Sequence, residues 1–528
     1  MLLFILYPLL RVFTAVLNPE NWRQVLSSSR WLDSLGHTLL LTLVSTFLSV
    51  LIGFVYAYAL GRGGIPFGKF FNFIPVLHLV TPPFVGGLSF ILLFGRQGFF
   101  TRTLLGLDIS LYGLPGLLIA QTLCFFPIAF LIMKDTLAEI SSSMEYAARS
   151  TGAGQMRVLR TVTLPLALPG IVSALLFIGL SVLSDFGNPM LIGGRFNVLA
   201  VDLYTQLNGW ANQGSSAVLG IMLLCPAAIL FVLQRYFLYR NVSTGILSRF
   251  ATVGGRSSDL PHPPLPTWVR ALLFLFCALI ALIVVAQFLA VLLGAFSQVW
   301  GVDSSFTLRH FRDSLYYRIE LSNTLKFALA AAFATAILGT LIAFMSLRTN
   351  LPFRKIADTV VMLPASMPGS LFGLAYILAF NDGMIRLTGT KIIIIAVMIA
   401  CDIPAAYRII SSALMGIRGS IDEAARSLGA SPLRLFVTVL CPLLAQAIAS
   451  AFVYTFVRAA GTLSAVIFLI SFKTKLSSAL ILNLAGQGDW GKAAALALIL
   501  TVIIFASLGI LRFLAGQPAT RFLTGKRG

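Results

Sequence analysis

Three ionisable residues lie inside or at the edge of long apolar stretches, where charge is otherwise rare. Asp185 ends one stretch, Asp402 lies within another, and Arg458 lies well inside the stretch 451–470. An ionisable side chain inside a lipid bilayer is costly and marks a candidate solute path. We therefore name Asp185, Arg458 and Asp402 as candidate translocation-pathway residues.

Each of the three also has a structural interpretation. Asp402 lies two residues before Pro404, so we expect it to accept hydrogen bonds at a helix break, with a path role as the alternative. Asp185 precedes Gly187 and is equally compatible with the end of a helix at the outer interface. Arg458 could extend its aliphatic stem to a lipid phosphate. Otherwise it needs an acidic partner, a cavity or an anionic solute.

The residue types that perform catalysis or bind metals are scattered singly along the chain. They are His37, His78, His262, His310, Cys124, Cys225, Cys277, Cys401 and Cys441. The phosphate-binding pattern G-x-x-x-x-G-K-[ST] is absent, because the Gly-Lys pairs at 68–69, 491–492 and 525–526 lack the spacing and the following hydroxyl. We predict no catalytic residue, no metal site and no cofactor in this chain, and therefore not an enzyme.

Composition indicates a membrane protein. The chain has 528 residues, of which 58% are hydrophobic and only 11% charged, against about a quarter charged in a soluble domain. Twelve apolar segments are long enough, or nearly so, to cross a bilayer as helices. They are 1–17, 37–60, 70–94, 113–133, 166–184, 216–234, 269–297, 323–347, 357–380, 391–411, 443–470 and 491–513. We predict an all-α, polytopic membrane protein with about 12 transmembrane helices.

The net charge of +20 follows from topology better than from nucleic-acid binding. If both termini are cytoplasmic and the loops alternate, more than half of the 38 Lys and Arg residues fall in cytoplasmic segments. This excess follows the positive-inside rule. We expect a multi-pass protein in a lipid bilayer, with both termini in the cytoplasm and no nucleic-acid partner.

The chain repeats itself. The motif Asn323-Thr-Leu follows His37-Thr-Leu by 286 residues, and Gly339 follows Gly53 by the same distance. Further along, Gly429 follows Gly152 by 277 residues. Such same-order halves predict a pseudo-twofold axis along the membrane normal, with a pore between the halves. We predict a first half at 1–240, a cytoplasmic linker at 241–266 and a second half at 267–528.

The clearest repeat is a short charged helix in each half, Glu145-Tyr-Ala-Ala-Arg-Ser-Thr-Gly152 and Asp422-Glu-Ala-Ala-Arg-Ser-Leu-Gly429. Ser142 with Glu145, and Ser420 with Glu423, fit a capping box. The acid-to-arginine pairs Glu145–Arg149 and Asp422–Arg426 have the i, i+4 spacing of helix ion pairs. Gly152 and Gly429 can take the left-handed conformation that ends a helix. Pro165 and Pro442 mark the return into the membrane.

These loops, at about 140–165 and 418–442, resemble the EAA loop of permeases in ATP-binding-cassette importers. The resemblance implies a type I importer permease fold, with each loop docking on an ATPase subunit. Its implied ATPase-coupling residues are Glu145, Ala147, Ala148, Arg149, Gly152, Asp422, Glu423, Ala424, Ala425, Arg426 and Gly429. In the first copy Tyr146 stands where the second has Glu423, so the docking sites need not be equal in strength.

The resemblance also implies partners and a location. ATP and Mg²⁺ would bind a separate ATPase homodimer, a periplasmic or lipid-anchored binding protein would deliver solute, and the chain would lie in a bacterial inner membrane. The segments Asp185-Phe-Gly-Asn-Pro189 and 456–468 resemble the fused two-half permeases of the ferric-iron importer group. Phosphonate, sugar phosphate, thiamine and polyamine are alternative cargoes. A secondary, ion-coupled transporter is the alternative of another class.

Overall fold

A computed structural model describes residues 2–80, 82–104, 106, 111–243, 262–349, 354–381 and 385–515. The predicted linker lies largely outside the described residues, which resume at His262. Helices joined by loops make up the described chain, apart from one hairpin. In this hairpin β1 (Ser297–Val299) pairs antiparallel with β2 (Asp303–Phe306). The predicted all-α, polytopic class is confirmed.

Twelve α-helices precede the linker among the described residues. They are α1 (Tyr7–Val16), α2 (Pro19–Leu26), α3 (Ser29–Arg62), α4 (Gly68–Val80), α5 (Pro83–Phe94), α6 (Leu114–Ala138), α7 (Ser142–Ser150), α8 (Gln155–Val158), α9 (Leu164–Leu183), α10 (Gly187–Ile192), α11 (Leu199–Tyr204) and α12 (Gln213–Ser243).

The helices after the linker number eleven among the described residues. They are α13 (Thr267–Phe296), α14 (Arg309–Ser314), α15 (Arg318–Arg348), α16 (Arg354–Met362), α17 (Gly369–Phe380), α18 (Lys391–Met415), α19 (Ser420–Ser427), α20 (Pro432–Arg434), α21 (Cys441–Gly461), α22 (Ser477–Gly486) and α23 (Trp490–Ala515).

Nine helices in the described chain are long and apolar enough to span a membrane, or eleven if each of two bent pairs is one span. The bends are 72° between α1 and α2 and 113° between the 356–366 segment and α17. The 113° bend divides the predicted segment 357–380, and the predicted segment 70–94 is divided between α4 and α5. Pro82 and Pro368 immediately precede α5 and α17, and proline has no N–H to continue the hydrogen bonding of a preceding helix. The predicted stretch 443–470 is helical only to Gly461.

Helix bounds recur between the two parts of the chain. Helix α17 follows α5 by 286 residues at both ends, and α18 follows α6 by 277 at both ends. The nine-residue difference therefore lies in one loop, which spans 95–113 in the first copy and 381–390 in the second. A π-helical turn, Phe99–Leu104, occupies part of the longer loop.

The first helix of each part packs against the other part. Helix α1 packs on α17, where the Arg11 Nε donates to the Leu378 carbonyl at 3.2 Å. Helix α13 packs on α5. Trp300, which follows α13 in the chain, donates from its Nε1 to the Leu92 carbonyl at 2.9 Å. Leu378 follows Leu92 by 286 residues, so equivalent carbonyls on α5 and α17 receive these two donors. The largest apolar core accordingly mixes residues from both parts.

Glycines allow the second and third long helices of each part to touch. A Cβ at Gly53 on α3 would lie 2.4 Å from the Ala129 Cβ on α6. At Gly339 on α15, it would lie 3.1 Å from the Ala406 Cβ on α18. Small residues allow this close approach in membranes, where packing rather than water exclusion drives helix association. The repeat of Gly53 and Gly339 in the sequence thus marks a repeated helix contact.

We expect Gly53→Ala to lower stability by about 1–3 kcal/mol, because its methyl group would overpack the backbone of α6. Gly36→Ala is the matched control, since Gly36 lies on the same helix with nothing within 4 Å of the added Cβ. Thermal unfolding of the purified variants in lipid nanodiscs measures both. Equal melting temperatures for the two variants would contradict this packing.

Candidate coupling loops and intramembrane charges

The two short charged helices predicted from the repeat are present as α7 and α19, but the predicted capping boxes are wrong. Helix α7 is capped by Ser141, whose side chain accepts from the Ser143 N–H. Helix α19 begins after Gly419, which has no side chain to act as a cap. Glu145 does not reach back to the start of α7, because its carboxylate is bound elsewhere.

The helix ends agree with the sequence. Gly152 has φ +85° and Gly429 has φ +79°, which confirms the left-handed conformation. In the first loop the Ala153 N–H donates to the Ala148 carbonyl at 3.1 Å, and in the second the Ala430 N–H donates to the Ala425 carbonyl at 3.0 Å. These are the same C-terminal capping bonds in both copies. The turn after each helix is therefore specified by its glycine.

A buried ion pair holds α7 against the end of α3. The Arg62 Nε lies 3.2 Å from Glu145 Oε1, and the two side chains are 3% and 5% exposed. The Thr163 hydroxyl donates to the same oxygen at 3.4 Å, and His262 Nδ1 lies 3.1 Å from Oε2. Burial alone would raise the pKa of Glu145, but the hydrogen bond with His262 and the charge of Arg62 outweigh it and lower that pKa.

The second loop repeats this arrangement. The Arg348 Nη1 lies 2.9 Å from Asp422 Oδ2, and Arg348 Nη2 donates to the carbonyls of Leu414 and Ile417 at 2.9 and 2.6 Å. Arg348 ends α15 as Arg62 ends α3, and it follows Arg62 by 286 residues. One arginine per copy thus binds the first acid of each charged helix.

The predicted i, i+4 pairs are wrong. The Arg149 guanidinium instead donates to Gln155 Oε1 and, at 3.0 Å, to the Pro264 carbonyl. Arg426 donates to the Arg348 carbonyl at 3.5 Å. Glu145 and Asp422 are taken by arginines from the preceding long helices, where burial strengthens the attraction. Reasoning on single helices missed these arginines, although their repeat at equal spacing was a signal.

The outward faces of α7 and α19 use equivalent positions. Tyr146, Ala147 and Ser150 are exposed on α7. Glu423, Ala424 and Ser427 occupy the corresponding exposed positions on α19, whereas Ala148 and Ala425 are half-buried. Each helix therefore exposes an alanine, a serine and one larger side chain, Tyr146 or Glu423, and keeps its first acid against the membrane helices.

A π-helical turn follows each charged helix. The turns span Leu159–Thr163 and Leu435–Leu440 and lead into Pro165 and Pro442. A proline ring lacks an N–H and clashes with the carbonyl four residues earlier, which widens the helix. The re-entry is therefore one helix with a widened turn, and it begins before the proline in both copies.

Equivalent threonines brace these turns. The Thr161 hydroxyl donates to the Arg157 carbonyl at 2.7 Å, and the Thr438 hydroxyl donates to the Arg434 carbonyl at 2.6 Å. Thr161 and Thr438 lie four residues before the two prolines. Wide turns of this kind are frequent at functional sites.

The structure brings together two of the three candidate pathway residues. The Arg458 Nε lies 3.2 Å from Asp402 Oδ1, with side chains 51% and 6% exposed. Helix α18 runs without a break through Pro404, so the expected helix-break role of Asp402 is wrong. Asp402 is therefore the acidic partner of Arg458. The sequence did not indicate this pair, because the two residues are far apart in the chain.

Asp185 lies elsewhere and organises the start of α10. Its Oδ1 accepts from the N–H groups of Gly187 and Asn188 at 3.1 and 3.4 Å. Its Oδ2 accepts from the Gln121 and Asn188 side-chain amides at 3.0 and 2.8 Å. Asp185 follows the end of α9, so its carboxylate joins α9, α10 and α6.

Three aromatic rings pack together next to Asp185 in the chain. The ring of Phe468, from the second part of the chain, lies 6.5 Å from Phe186 and 5.5 Å from Tyr204 between centroids. Phe186 and Tyr204 contact each other at 5.3 Å. No group of three or more His, Cys, Asp and Glu side chains within the described ranges could hold a metal ion.

Comparison with known proteins assigns the family. Residues 26–241 and 335–517 match the binding-protein-dependent transport system inner membrane component family. This chain belongs to that family. The two matched segments contain the two charged helices, α7 and α19. The predicted family, and a transport component rather than an enzyme, are confirmed.

Similar proteins with assigned names are also transport permeases. The ferric transport system permease protein FbpB of Actinobacillus pleuropneumoniae is 32% identical over 535 residues, covering 97% of this chain and 76% of that protein. The putative ferric transport system permease protein FbpB 1 of Haemophilus influenzae is 31% identical, covering 90% and 77%. The molybdenum transport system permease protein ModB of Escherichia coli is 26% identical, covering 42% of this chain and 95% of its own length.

We expect Arg458→Ala to destabilise the permease by about 1–3 kcal/mol, because it leaves the buried Asp402 carboxylate without its cation. Adding Asp402→Asn should recover part of the loss, since the amide carries no charge. Thermal unfolding of the two variants measures this. An Arg458→Ala protein as stable as the wild type would contradict the ion pair.

We expect the contribution of Glu145 to stability to depend on pH. Its lowered pKa stabilises the folded permease at pH values above the unfolded-state pKa, and that contribution is lost as pH falls through the lower folded-state pKa. The melting-temperature difference between wild type and Glu145→Gln should therefore shrink from about pH 7 to about pH 3. Glu423→Gln is the control, because Glu423 is exposed. A constant difference for Glu145→Gln would contradict the lowered pKa.

Proposed function

We propose that this permease forms both halves of the solute pathway of an ATP-driven importer and moves ferric iron by alternating access. The observation that carries the proposal is the pair of equivalent coupling helices, each fixed by a guanidinium at the end of a long helix. A force applied to either helix reaches the membrane helices through that ion pair.

The partners follow from the coupling helices and the family. Two ATPase subunits would bind the exposed faces of α7 and α19 and would supply ATP and Mg²⁺, since this chain has no phosphate-binding loop. A soluble or lipid-anchored binding protein would deliver the solute at the opposite ends of α6 and α18. We place the permease in a bacterial inner membrane with both termini in the cytoplasm.

The proposed cycle uses the contacts described above. Closure of the ATPase dimer draws α7 and α19 together and turns the membrane helices attached to them. The Phe186, Tyr204 and Phe468 rings then separate, which opens the path toward the loaded binding protein. Hydrolysis releases the coupling helices and returns the aromatic contact. Asp185 and the Arg458–Asp402 pair lie close to the proposed path.

Ferric iron is the proposed cargo because the two long-matching relatives are named as ferric transport system permeases. Uptake of radioactive iron into proteoliposomes tests it, with the permease, its ATPase and its binding protein present. We expect uptake that requires ATP inside and all three proteins. Uptake driven by a proton gradient without the ATPase would reject the mechanism, and ATP-driven uptake of another solute alone would reject the cargo.

We expect Gly152→Val and Gly429→Val each to weaken ATPase association by roughly tenfold, because a β-branched residue at positive φ costs on the order of 1–3 kcal/mol. Co-purification with a tagged ATPase measures association, and membrane yield controls for insertion. Gly154→Val is the matched control, since Gly154 has extended φ/ψ and nothing within 4 Å of an added Cβ. Normal assembly of both positive-φ variants would count against these docking sites.

A further inference from the structure

The end of the linker lies against the first coupling helix. His262 Nδ1 lies 3.1 Å from Glu145 Oε2, and the Pro264 carbonyl accepts from Arg149 at 3.0 Å. Pro263 and Leu265 are buried. We call residues 262–265 the linker strap. Glu145 and Arg149 are one helical turn apart, so the strap follows one face of α7 and leaves the opposite face exposed.

The base of the strap is fixed as well. On the first turn of α13, Arg270 donates to the Gly64 carbonyl at 2.7 Å, in the turn that follows α3. The same α3 supplies Arg62 to Glu145. The strap therefore joins α3, α7 and α13, which belong to the two different parts of the chain.

Among the described residues, the second coupling helix has no equivalent of the strap. Asp422 binds Arg348 through Oδ2, whereas its buried Oδ1 has no hydrogen-bond partner in the described part of the chain. The corresponding second oxygen of Glu145 is the one bound by His262. The carboxylates of Glu145 and Asp422 thus differ in that only Glu145 is bound by an imidazole from the linker, among the described residues.

We propose that His262 is a positioning residue, which fixes the first coupling helix to α3 and α13 so that the two ATPase docking sites differ in stiffness. This inference rests on the proposed function, since it assigns a role in coupling. Besides His262, the groups that bind the Glu145 carboxylate are Arg62 from α3 and the Thr163 hydroxyl. The charge of Arg62 favours the ionised form of Glu145, so its carboxylate holds the imidazole.

The mechanical consequence follows from the number of attachments. Helix α7 is held by Arg62, by the strap and by Thr163 from the following π turn, and it moves with α3 as one body. Helix α19 is held by the Asp422–Arg348 ion pair, by the Arg426 bond to the Arg348 carbonyl and by its contact with the following π turn. It lacks a strap in the described part of the chain, so we expect it to tilt more freely than α7. The movement of the closing ATPase would therefore pass directly to the membrane helices through α7. Through α19 part of that movement would be lost as tilting of the helix.

The test compares His262→Ala and His262→Gln in the full transporter with its ATPase and binding protein. For His262→Ala we expect solute moved per ATP hydrolysed to fall roughly threefold to tenfold, the factor for the net contribution of one typical hydrogen bond. His262→Gln should recover most of it, because its amide N–H can donate to Glu145. Pro266→Ala is the control, since its carbonyl keeps its bond to the Arg270 N–H.

Hydrogen exchange gives a second readout, with α19 as the internal control. We expect His262→Ala to raise exchange in 142–150 and to leave 420–427 unchanged. An unchanged transport ratio in His262→Ala, or equal exchange increases in both helices, would overturn the proposal. If the wild type shows no ATPase-dependent uptake, the proposed function fails, whereas the exchange comparison still decides whether the strap holds α7.

Discussion

A buried carboxylate bound by a guanidinium lies at the base of each charged helix, α7 and α19, and the positions of both helices depend on it. Neither Glu145 nor Asp422 could be buried as a charge without Arg62 or Arg348, because removing an ion from water costs several kcal/mol. In return, each pair ties a short helix of eight or nine residues to a long membrane helix. A helix so short is marginal in isolation, so its position is set by this contact.

The sequence predicted the parts that depend on local chemistry. The apolar segments, the repeat spacing and the positive φ of Gly152 and Gly429 follow from residue type and order, because they depend on neighbours in the chain. The ion pairs could not be predicted in that way. Arg62 and Glu145 are 83 residues apart and Arg458 and Asp402 are 56 apart, so only packing decides which acid meets which base. The i, i+4 pairs were plausible locally, but a buried partner competes better than an exposed one.

The differences between the predicted and the observed membrane-spanning segments have a related cause. Hydropathy shows whether a segment can lie in lipid, but prolines decide whether it crosses as one helix. Pro82 and Pro368 precede α5 and α17, where two apolar segments are broken, whereas Pro165 and Pro442 follow a widened π turn within a continuing helix. The same residue type thus accompanies a break in one place and a wider helical turn in another.

The exchange of first helices bears on why the two halves share one chain. Since α1 lies on α17 and α13 lies on α5, the halves are interlocked by their own packing and would stay together if the peptide between them were cut. Covalent fusion is therefore not what keeps the pore assembled. What it guarantees is stoichiometry during synthesis: every pore receives one copy of each unlike half, and mismatched pairs of identical halves cannot form.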